Sequence, residues 1–124
     1  MADDYEADIE AGMIRAVLGY GLLNVAAEDL VLLVRAESLI YSLQQLQEEG
    51  WDSLEMICWA PLEEESDALG LSYRLRSTAR RNRTLGVQVQ AQAGARWPSA
   101  AEIFANARVL EDDLARSCPL TFAP

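Results

Sequence analysis

Two neighbouring segments of the chain show a strict alternation of apolar and polar residues. Between residues 69 and 76, Leu or Tyr occupies every odd position and Gly, Ser or Arg every even one. Between residues 85 and 92, Leu, Val or Ala alternates in the same way with Gly or Gln. Because successive side chains of a strand point to opposite faces, both segments are predicted to be strands with one apolar and one wet face. Residues 77–84 predict a turn that joins them into an antiparallel hairpin.

A different spacing, with apolar residues three or four positions apart, predicts three helices. They cover about residues 3–18, 38–49 and 98–117, the last beginning at Pro98 or Ser99. Ser38 is a favourable N-cap for the second helix, and Pro119 cannot continue the third. The apolar stripes are, in order, Ile9, Met13 and Val17; Leu39, Leu43 and Leu46; and Ile103, Ala107, Leu110 and Leu114.

Short apolar runs predict three more strands, at residues 22–26, 29–35 and 51–60. The resulting order of elements is α-β-β-α-β-β-β-α. A mixed sheet with the helices packed on one face buries all the apolar stripes at once, so we predict a two-layer α+β fold. Since no linker or internal repeat interrupts the chain, residues 1–124 are predicted to form a single domain.

The predicted strand at residues 51–60 carries a cysteine and a tryptophan side by side. Strict alternation places Cys58 on the same side as Leu54 and Met56, and Trp59 on the opposite side. We therefore expect Cys58 to be a small core residue. Cys118 follows the last predicted helix and is expected to be partly exposed. Neither cysteine has a base partner in the sequence, so a catalytic thiol is not expected.

The composition removes most kinds of catalytic site. The 124 residues include 20 acids, 10 bases and no His, which gives a net charge of −10. Without His there is no His metal ligand and no His general base. Two cysteines cannot supply the four thiolates of an iron–sulfur cluster, and no Gly-rich phosphate loop or placed pair of carboxylates is present. We expect no catalytic residue, metal ligand or cofactor in this chain.

The basic residues, all of them Arg, are concentrated in one region. Residues 1–67 contain 16 acids and 2 Arg, whereas residues 68–101 contain 6 Arg and no acid. One interpretation is a docking surface for an acidic partner, because Arg makes bidentate contacts with carboxylates. The other is a solvated hairpin that balances the acidic loops of the same chain. The overall charge and the lack of an aromatic residue beside these Arg argue against a nucleic-acid partner. Five Arg lie within ten residues of the predicted hairpin: Arg74, Arg76, Arg80, Arg81 and Arg83.

The sequence shows no sign of membrane insertion or export. It has no run of about 18 apolar residues. Residues 1–10 carry five acids and no base, unlike a secretory signal. We expect a cytoplasmic protein that is not itself inserted into a membrane.

The stretch from Tyr73 to Leu114 resembles the C subunit of respiratory complex I, also called its thirty-kilodalton subunit. That family has a Tyr-x-Leu-x-Ser segment, found here at residues 73–77, followed by an Asn and a basic residue at Asn82 and Arg83. An alternating strand at residues 85–89 and a Pro98-Ser99 helix start come next. The family pattern Ala-x-x-Leu-Glu-x-acid follows at residues 107–113, and upstream Gly50-Trp51 also fits the family's third strand.

The sequence departs from this family at its signature. In place of Glu-Arg-Glu, the chain has Glu111-Asp112-Asp113, and Arg116 stands where the family has Asp. Glu111 alone is kept cleanly, and Asp113 conservatively. The pattern therefore resembles more the short, divergent form of this subunit in the membrane-bound [NiFe] hydrogenases related to complex I, with a divergent complex I subunit as the alternative.

The resemblance implies a non-catalytic scaffold subunit of a membrane-associated oxidoreductase complex. Such a subunit carries no cofactor. It packs beside the large subunit, which holds the quinone site or the Ni–Fe centre, and the iron–sulfur clusters lie in partner subunits. It would lie in the cytoplasm, peripheral to the inner membrane through its partners. The alternative is a freestanding interaction protein, such as an assembly chaperone or regulator, because the Glu-Arg-Glu signature is lost. The residues expected to contact a partner are Arg74, Arg76, Arg80, Arg81, Arg83, Glu111 and Asp113.

Overall fold

The computed structural model describes residues 22–25, 30–62 and 66–123. The first predicted helix lies outside these residues. The described strands and helices are β1 (Leu22–Val25), β2 (Leu30–Val34), α1 (Leu39–Glu48), β3 (Ser53–Pro61), β4 (Ala68–Ser77), β5 (Arg83–Gln92), β6 (Arg96–Trp97), α2 (Ala107–Ala115) and β7 (Thr121–Phe122). Single 3₁₀ turns precede α1 at Ala36–Ser38 and follow β4 at Thr78–Arg80.

The main sheet has five strands in the order β1-β2-β5-β4-β3. The pair β2 and β5 is parallel, and the other three neighbouring pairs are antiparallel. The sheet is therefore mixed, and the predicted hairpin of β4 and β5 lies near its middle. The predicted mixed α+β fold is confirmed.

One face of this sheet, called the covered face below, carries the core. Its residues include the odd positions 69–77 of β4 and 85–91 of β5, such as Tyr73 and Val87, and these are almost fully buried. Leu32 of β2 pairs with Val87 in the ladder and belongs to the same face. The apolar stripe of α1, which includes Leu43, joins the same hydrophobic cluster. Burial of this stripe against the sheet is the main stabilising contribution of α1, since such a short helix is marginal alone.

The opposite face, called the open face below, carries the even positions of β4 and β5. Within residues 31–62 and 66–92, none of its side chains is buried. It runs from Leu33 on β2, across Gln88 on β5 and Ser72 on β4, to Cys58 on β3, which are neighbours in one row of the ladder. The alternation of the two hairpin strands thus places small and polar residues on the open face, as predicted.

A bulge in β3 changes which of its residues face the core. Leu54 pairs with Leu75, but Met56 pairs with Arg74, so Glu55 is an extra residue in β3. One extra residue reverses the alternation that follows. Cys58 is therefore exposed on the open face, and the prediction that it is a core residue was wrong.

Trp59 lies on the covered face for the same reason. It pairs with Leu71 and packs, half-buried, against the core together with Leu54. The prediction that Trp59 points away from the side of Leu54 was wrong, because the bulge lies between the two residues. Its indole Nε1–H donates to the Ser117 hydroxyl at 3.1 Å, just beyond the end of α2. Cys118 is buried rather than partly exposed, since the chain folds back there toward the sheet.

The last helix is shorter than predicted. The spacing predicted a helix over residues 98–117, but α2 begins only at Ala107. Before it, the side chain of Ser99 and the peptide N–H of Ala100 both donate to the carboxylate of Glu111, on α2. This contact folds residues 98–106 back along α2, which is incompatible with one continuous helix. Asn106 donates to the carbonyl oxygen of Leu54 at 2.7 Å and fixes this segment to β3.

Candidate docking surface

The turn between β4 and β5 carries two of the predicted partner-contact residues, Arg80 and Arg81. After the 3₁₀ turn, Arg81 and Asn82 both adopt the left-handed conformation, with φ of 57° and 62°. Asn tolerates this conformation, whereas it is unfavourable for Arg. The N–H of Asn82 donates to the carbonyl oxygen of Ser77 at 2.9 Å and closes the turn. Arg81 is exposed at its tip.

Arg80 binds the protein's own chain. Its Nη1 donates to the carbonyl oxygen of Glu49 at 2.8 Å and to the Ser77 hydroxyl at 3.2 Å. Its guanidinium lies 5.0 Å from the ring centroid of Trp51, which is a favourable cation–π distance. Gly50, with φ of +103°, leaves room for this contact, since a Cβ there would lie 3.0 Å from Nη1 of Arg80. Arg80 thus joins the turn to the end of α1.

A second contact holds the turn on the same side. The N–H of Thr78 donates to Asp52 at 3.5 Å, and its hydroxyl donates to the same carboxylate at 3.3 Å. Both are long and exposed, so each contributes little alone. Together with Arg80 they hold the turn against the loop that precedes β3. Arg81 is therefore presented on a fixed turn, which lowers the entropy lost when it binds a partner.

Arg74 and Arg76 lie on the open face, as the alternation predicted. The extra residue of the bulge, Glu55, forms ion pairs with both: its carboxylate is 3.4 Å from Nε of Arg74 and also contacts Nη2 of Arg76. The Arg74 side chain is 50% exposed and that of Glu55 is 24% exposed. One carboxylate balances one of the two guanidinium groups, so this cluster keeps a net positive charge. Glu55 was missed by the sequence reasoning, because strict alternation gave no sign of a bulge.

The two predicted acidic contacts lie in different environments. Glu111 is completely buried, and both of its carboxylate oxygens accept hydrogen bonds, from Ser99 at 2.6 Å and from the N–H of Ala100 at 2.8 Å. In this arrangement Glu111 serves the fold of its own chain. Asp113 is 77% exposed and forms a long ion pair of 3.8 Å with Arg116. Such an exposed pair contributes little to stability.

Two further titratable groups, Tyr73 and Cys118, are buried in the core. The Tyr73 hydroxyl accepts a hydrogen bond of 2.9 Å from Nε1 of Trp97, inside the core. Burial raises the pKa of Tyr73 far above its usual value, although the hydrogen bond from Trp97 opposes this. Burial also raises the pKa of the Cys118 thiol. Both groups therefore stay protonated in the folded protein at neutral pH.

The structure separates the predicted contact residues into three places. Arg74 and Arg76 are on the open face, Arg81 is at the tip of the turn, and Asp113 is on the exposed side of α2. Arg83 begins β5, beside the turn. Within the described residues, no group of three or more His, Cys, Asp or Glu side chains is placed to hold a metal ion. No helix in the described part of the chain is long and apolar enough to cross a membrane.

The chain is similar to known proteins in its structure rather than in its sequence. No family model matches the sequence, and no curated protein matches it. A chain of the membrane-bound sulfane sulfur reductase, an archaeal respiratory membrane complex, superposes with a TM-score of 0.85 at 18% identity, covering 94% of this chain and 70% of that one. The trypsin-resistant fragment 1–134 of Nqo5 superposes with a TM-score of 0.75, also at 18% identity, covering 96% of this chain and 95% of the fragment.

Nqo5 is the thirty-kilodalton subunit of complex I, and the reductase is a complex related to complex I. Both neighbours are thus subunits of respiratory complexes of the same kind. At 18% identity, the likeness establishes the fold. The chain has the fold of the complex I thirty-kilodalton subunit, which confirms at the level of structure the resemblance found in its sequence.

Proposed function

We propose that the chain is a non-catalytic accessory subunit of a membrane-associated oxidoreductase complex, of the complex I-like or [NiFe] hydrogenase-like kind. In this role it docks on the large subunit that holds the quinone site or the Ni–Fe centre and keeps that subunit in place. It lies in the cytoplasm, peripheral to the membrane, and the iron–sulfur clusters belong to partner subunits. The observation that carries the proposal is the superposition on a chain of a respiratory membrane complex over 94% of this chain.

The tip of the β4–β5 turn is the docking point that the geometry favours. Arg80 and Thr78 join the turn to the loop around Glu49 and Asp52, so contacts within the chain itself hold the turn in this position. Arg81 projects from this turn, exposed, in a backbone conformation unfavourable for its type. Unfavourable conformations that the surrounding structure maintains are often found at functional sites. A carboxylate on the large subunit is the expected partner, because Arg binds carboxylates in a bidentate geometry.

Arg80 has a different role in this proposal. Its guanidinium is occupied by Trp51 and by the carbonyl oxygen of Glu49, so a reversal of its charge would disturb the fold as well as any interface. A test of docking therefore changes Arg81 and leaves Arg80 intact.

The test is an affinity purification of the tagged chain from native membranes in mild detergent, with mass spectrometry of the proteins that copurify. We expect a large quinone-site or Ni–Fe subunit together with iron–sulfur and membrane subunits. The Arg81→Glu variant should recover at least tenfold less of the large subunit, which corresponds to about 1.4 kcal/mol of binding free energy.

Arg116→Glu is the matched control, because Arg116 is 84% exposed, directly follows α2 rather than lying on the β4–β5 turn, and undergoes the same change of charge. It should copurify the large subunit at the wild-type level. Equal recovery with Arg81→Glu and Arg116→Glu would contradict docking at the turn. Recovery of the chain alone, or with unrelated soluble proteins, would contradict the subunit role and favour a freestanding interaction protein.

A further inference from the structure

The open face has two shallow depressions side by side. One, of about 270 Å³, lies between Leu33 on β2 and Leu62 after β3. The other, of about 250 Å³, lies between Leu62 and Cys58. Gly70 lines both, and its lack of a side chain lets Leu62 rest over the sheet, 3.2 Å from where a Cβ would be. The two depressions form a trough whose floor consists of the small residues of the central strands.

Apolar side chains contribute to this trough. Leu33 is half-buried on β2, and Leu62, which lines both depressions, is 52% exposed. Met56, 43% exposed, lies on the same face in the row of Arg74. The glutamines of β5, such as Gln88 and Gln90, add neutral amide groups. Exposed apolar surface arranged around a concave site is typical of a protein–protein contact.

The charge of the open face differs from that of the whole chain. The chain has a net charge of −10, but among the described residues of the open face Arg74 and Arg76 stand against the carboxylate of Glu55. Arg74 lies one row closer to the β4–β5 turn than Ser72 and Cys58. Among the described side chains, the open face is therefore basic at the end near the turn, and the trough at the other end is lined by uncharged residues.

The distance between these two ends indicates what can bind there. Arg74 and Gly70 are four residues apart in one strand, or about 13 Å at 3.3 Å per residue. A helix covers that distance in about nine residues, at 1.5 Å per residue. Apolar side chains at i, i+3 or i+4, and i+7 of such a helix would reach the trough, with a carboxylate about two turns away over Arg74.

We propose that the open face binds an amphipathic helix of another subunit, which places aliphatic side chains in the trough and a carboxylate on Arg74. Only the origin of that helix, in another subunit of the same complex, rests on the subunit role proposed above. A second copy of this chain is a poorer occupant, because two chains of net charge −10 repel each other and their open faces carry charge of the same sign. The acidic, apolar helix matches the face in both charge and shape.

The exposed thiol of Cys58 provides a direct test, since it lines the trough. Alkylation by N-ethylmaleimide is followed by mass spectrometry, in a native membrane extract and in the isolated chain. Cys58 should react at least tenfold more slowly in the extract. The buried Cys118 is the internal control and should react slowly in both samples, which shows that the fold is intact.

Two variants assign the protection to the predicted contacts. Arg74→Glu should bring the alkylation rate of Cys58 in the extract to within about threefold of the rate in the isolated chain. Arg116→Glu, the same charge change away from the open face, should leave Cys58 protected. Equal rates for Cys58 in the extract and in the isolated chain would overturn the proposal, as would protection that Arg74→Glu does not alter.

A maleimide-linked benzophenone on Cys58 then identifies the occupant after irradiation. The proposal requires attachment to a peptide of another protein with apolar residues at i, i+3 or i+4, and i+7 and a carboxylate about two turns away. Attachment to a second copy, to residues 1–21 of the same chain or to lipid would overturn it. If that helix belongs to a protein outside any oxidoreductase, the subunit role fails and the docking face stands. If oxidoreductase subunits copurify but Cys58 stays reactive, the docking face fails and the subunit role stands.

Discussion

The covered and open faces of the main sheet are built from alternate residues of the same strands, yet they differ in almost every physical property. On β5, Leu85 and Val87 are completely buried, while their neighbour Gln88 is exposed. The covered face derives its free energy from apolar area removed from water, at roughly 25 cal/mol per Å². The open face contributes little to folding, so its residues are available for binding. The comparison shows that alternate residues of the same strand have different roles: one set stabilises the fold and the other is exposed to a possible partner.

In strand β3, a single extra residue changes which side chains lie on the covered face and which lie on the open face. Up to Leu54 its residues follow the strict alternation, and after the extra residue Glu55 the assignment to faces is reversed. Met56 and Cys58 thereby come to the open face, and Ile57 and Trp59 to the covered one. One inserted residue thus moves an apolar Met and a thiol from the core to a surface where a partner can reach them.

The largest expected difference between the two faces comes from truncating one leucine on each. Leu85→Ala removes a fully buried side chain and should lower the free energy of unfolding by about 3 kcal/mol, because it leaves a cavity. Leu62→Ala, at a leucine 52% exposed beside the open face, should cost less than about 1 kcal/mol. Urea unfolding followed by tryptophan fluorescence measures both values. Equal costs would mean that the open face is as well packed as the core.

Substitutions of Glu111 test whether its buried carboxylate is needed for the stability of the fold. Glu111→Ala leaves the Ser99 hydroxyl and the N–H of Ala100 without their acceptor and should lower the free energy of unfolding by about 2 kcal/mol. Glu111→Gln retains one acceptor oxygen and should cost about half as much. The matched control is Asp113→Ala on the exposed side of α2, with an expected cost below about 0.5 kcal/mol. Urea midpoints that are the same for Glu111→Ala and Asp113→Ala would contradict the structural role of Glu111.

The covered face should also make the protein sensitive to alkaline pH. Burial raises the pKa of both Tyr73 and Cys118 in the folded state, so the folded protein keeps protons that the unfolded chain releases. Unfolding is then favoured as the pH rises above the pKa values of the unfolded chain, about 8.5 for Cys and about 10 for Tyr. Tyr73, whose pKa is raised far above its usual value, should lower the free energy of unfolding by up to about 1.4 kcal/mol per pH unit, and Cys118 should add a smaller loss in the same direction.

Urea unfolding between pH 7.5 and 10.5 measures this loss. In Cys118→Ala the decline should begin near pH 10 rather than near pH 8.5. Tyr73→Phe should be less stable at every pH, because Trp97 loses its acceptor, but its stability should decline less steeply above pH 10. A wild-type stability that is constant over the whole range would show that neither group is held protonated by the fold.

The hairpin was predictable from the sequence because its two strands obey one rule over their whole length. Each odd residue from Leu69 to Leu75 is apolar, and no bulge interrupts the pairing of β4 with β5. Local periodicity therefore determined both the element and its two faces. The placement of Arg74 on the open face followed from the same rule and is confirmed.

The failures have a common cause, which is that contacts between distant residues override local spacing. The bulge in β3 is visible only in the pairing with β4, where Glu55 meets Arg74 and Arg76, about twenty residues away. The start of α2 depends on Glu111 binding Ser99 and Ala100, which the periodicity of residues 98–117 cannot show. The inward position of Arg80 depends on Trp51 and on the conformation of Gly50. The Arg-rich turn was thus found from the sequence, but not which Arg serves the fold.

The smallest expected effect concerns the ion-pair cluster of Glu55, Arg74 and Arg76 on the open face. Because the cluster is partly exposed, Glu55→Ala should lower the free energy of unfolding by less than about 1 kcal/mol, and the difference should largely disappear in 1 M NaCl. The same variant increases the positive charge of the open face by one and should strengthen the binding of an acidic partner. Chemical denaturation at low and high salt, combined with the alkylation rate of Cys58 in the native extract, measures both effects. If the free energy of unfolding fell by several kcal/mol and salt did not reduce this loss, Glu55 would determine the register of β3. This single carboxylate would then decide which residues of β3 face the core and which lie on the open face.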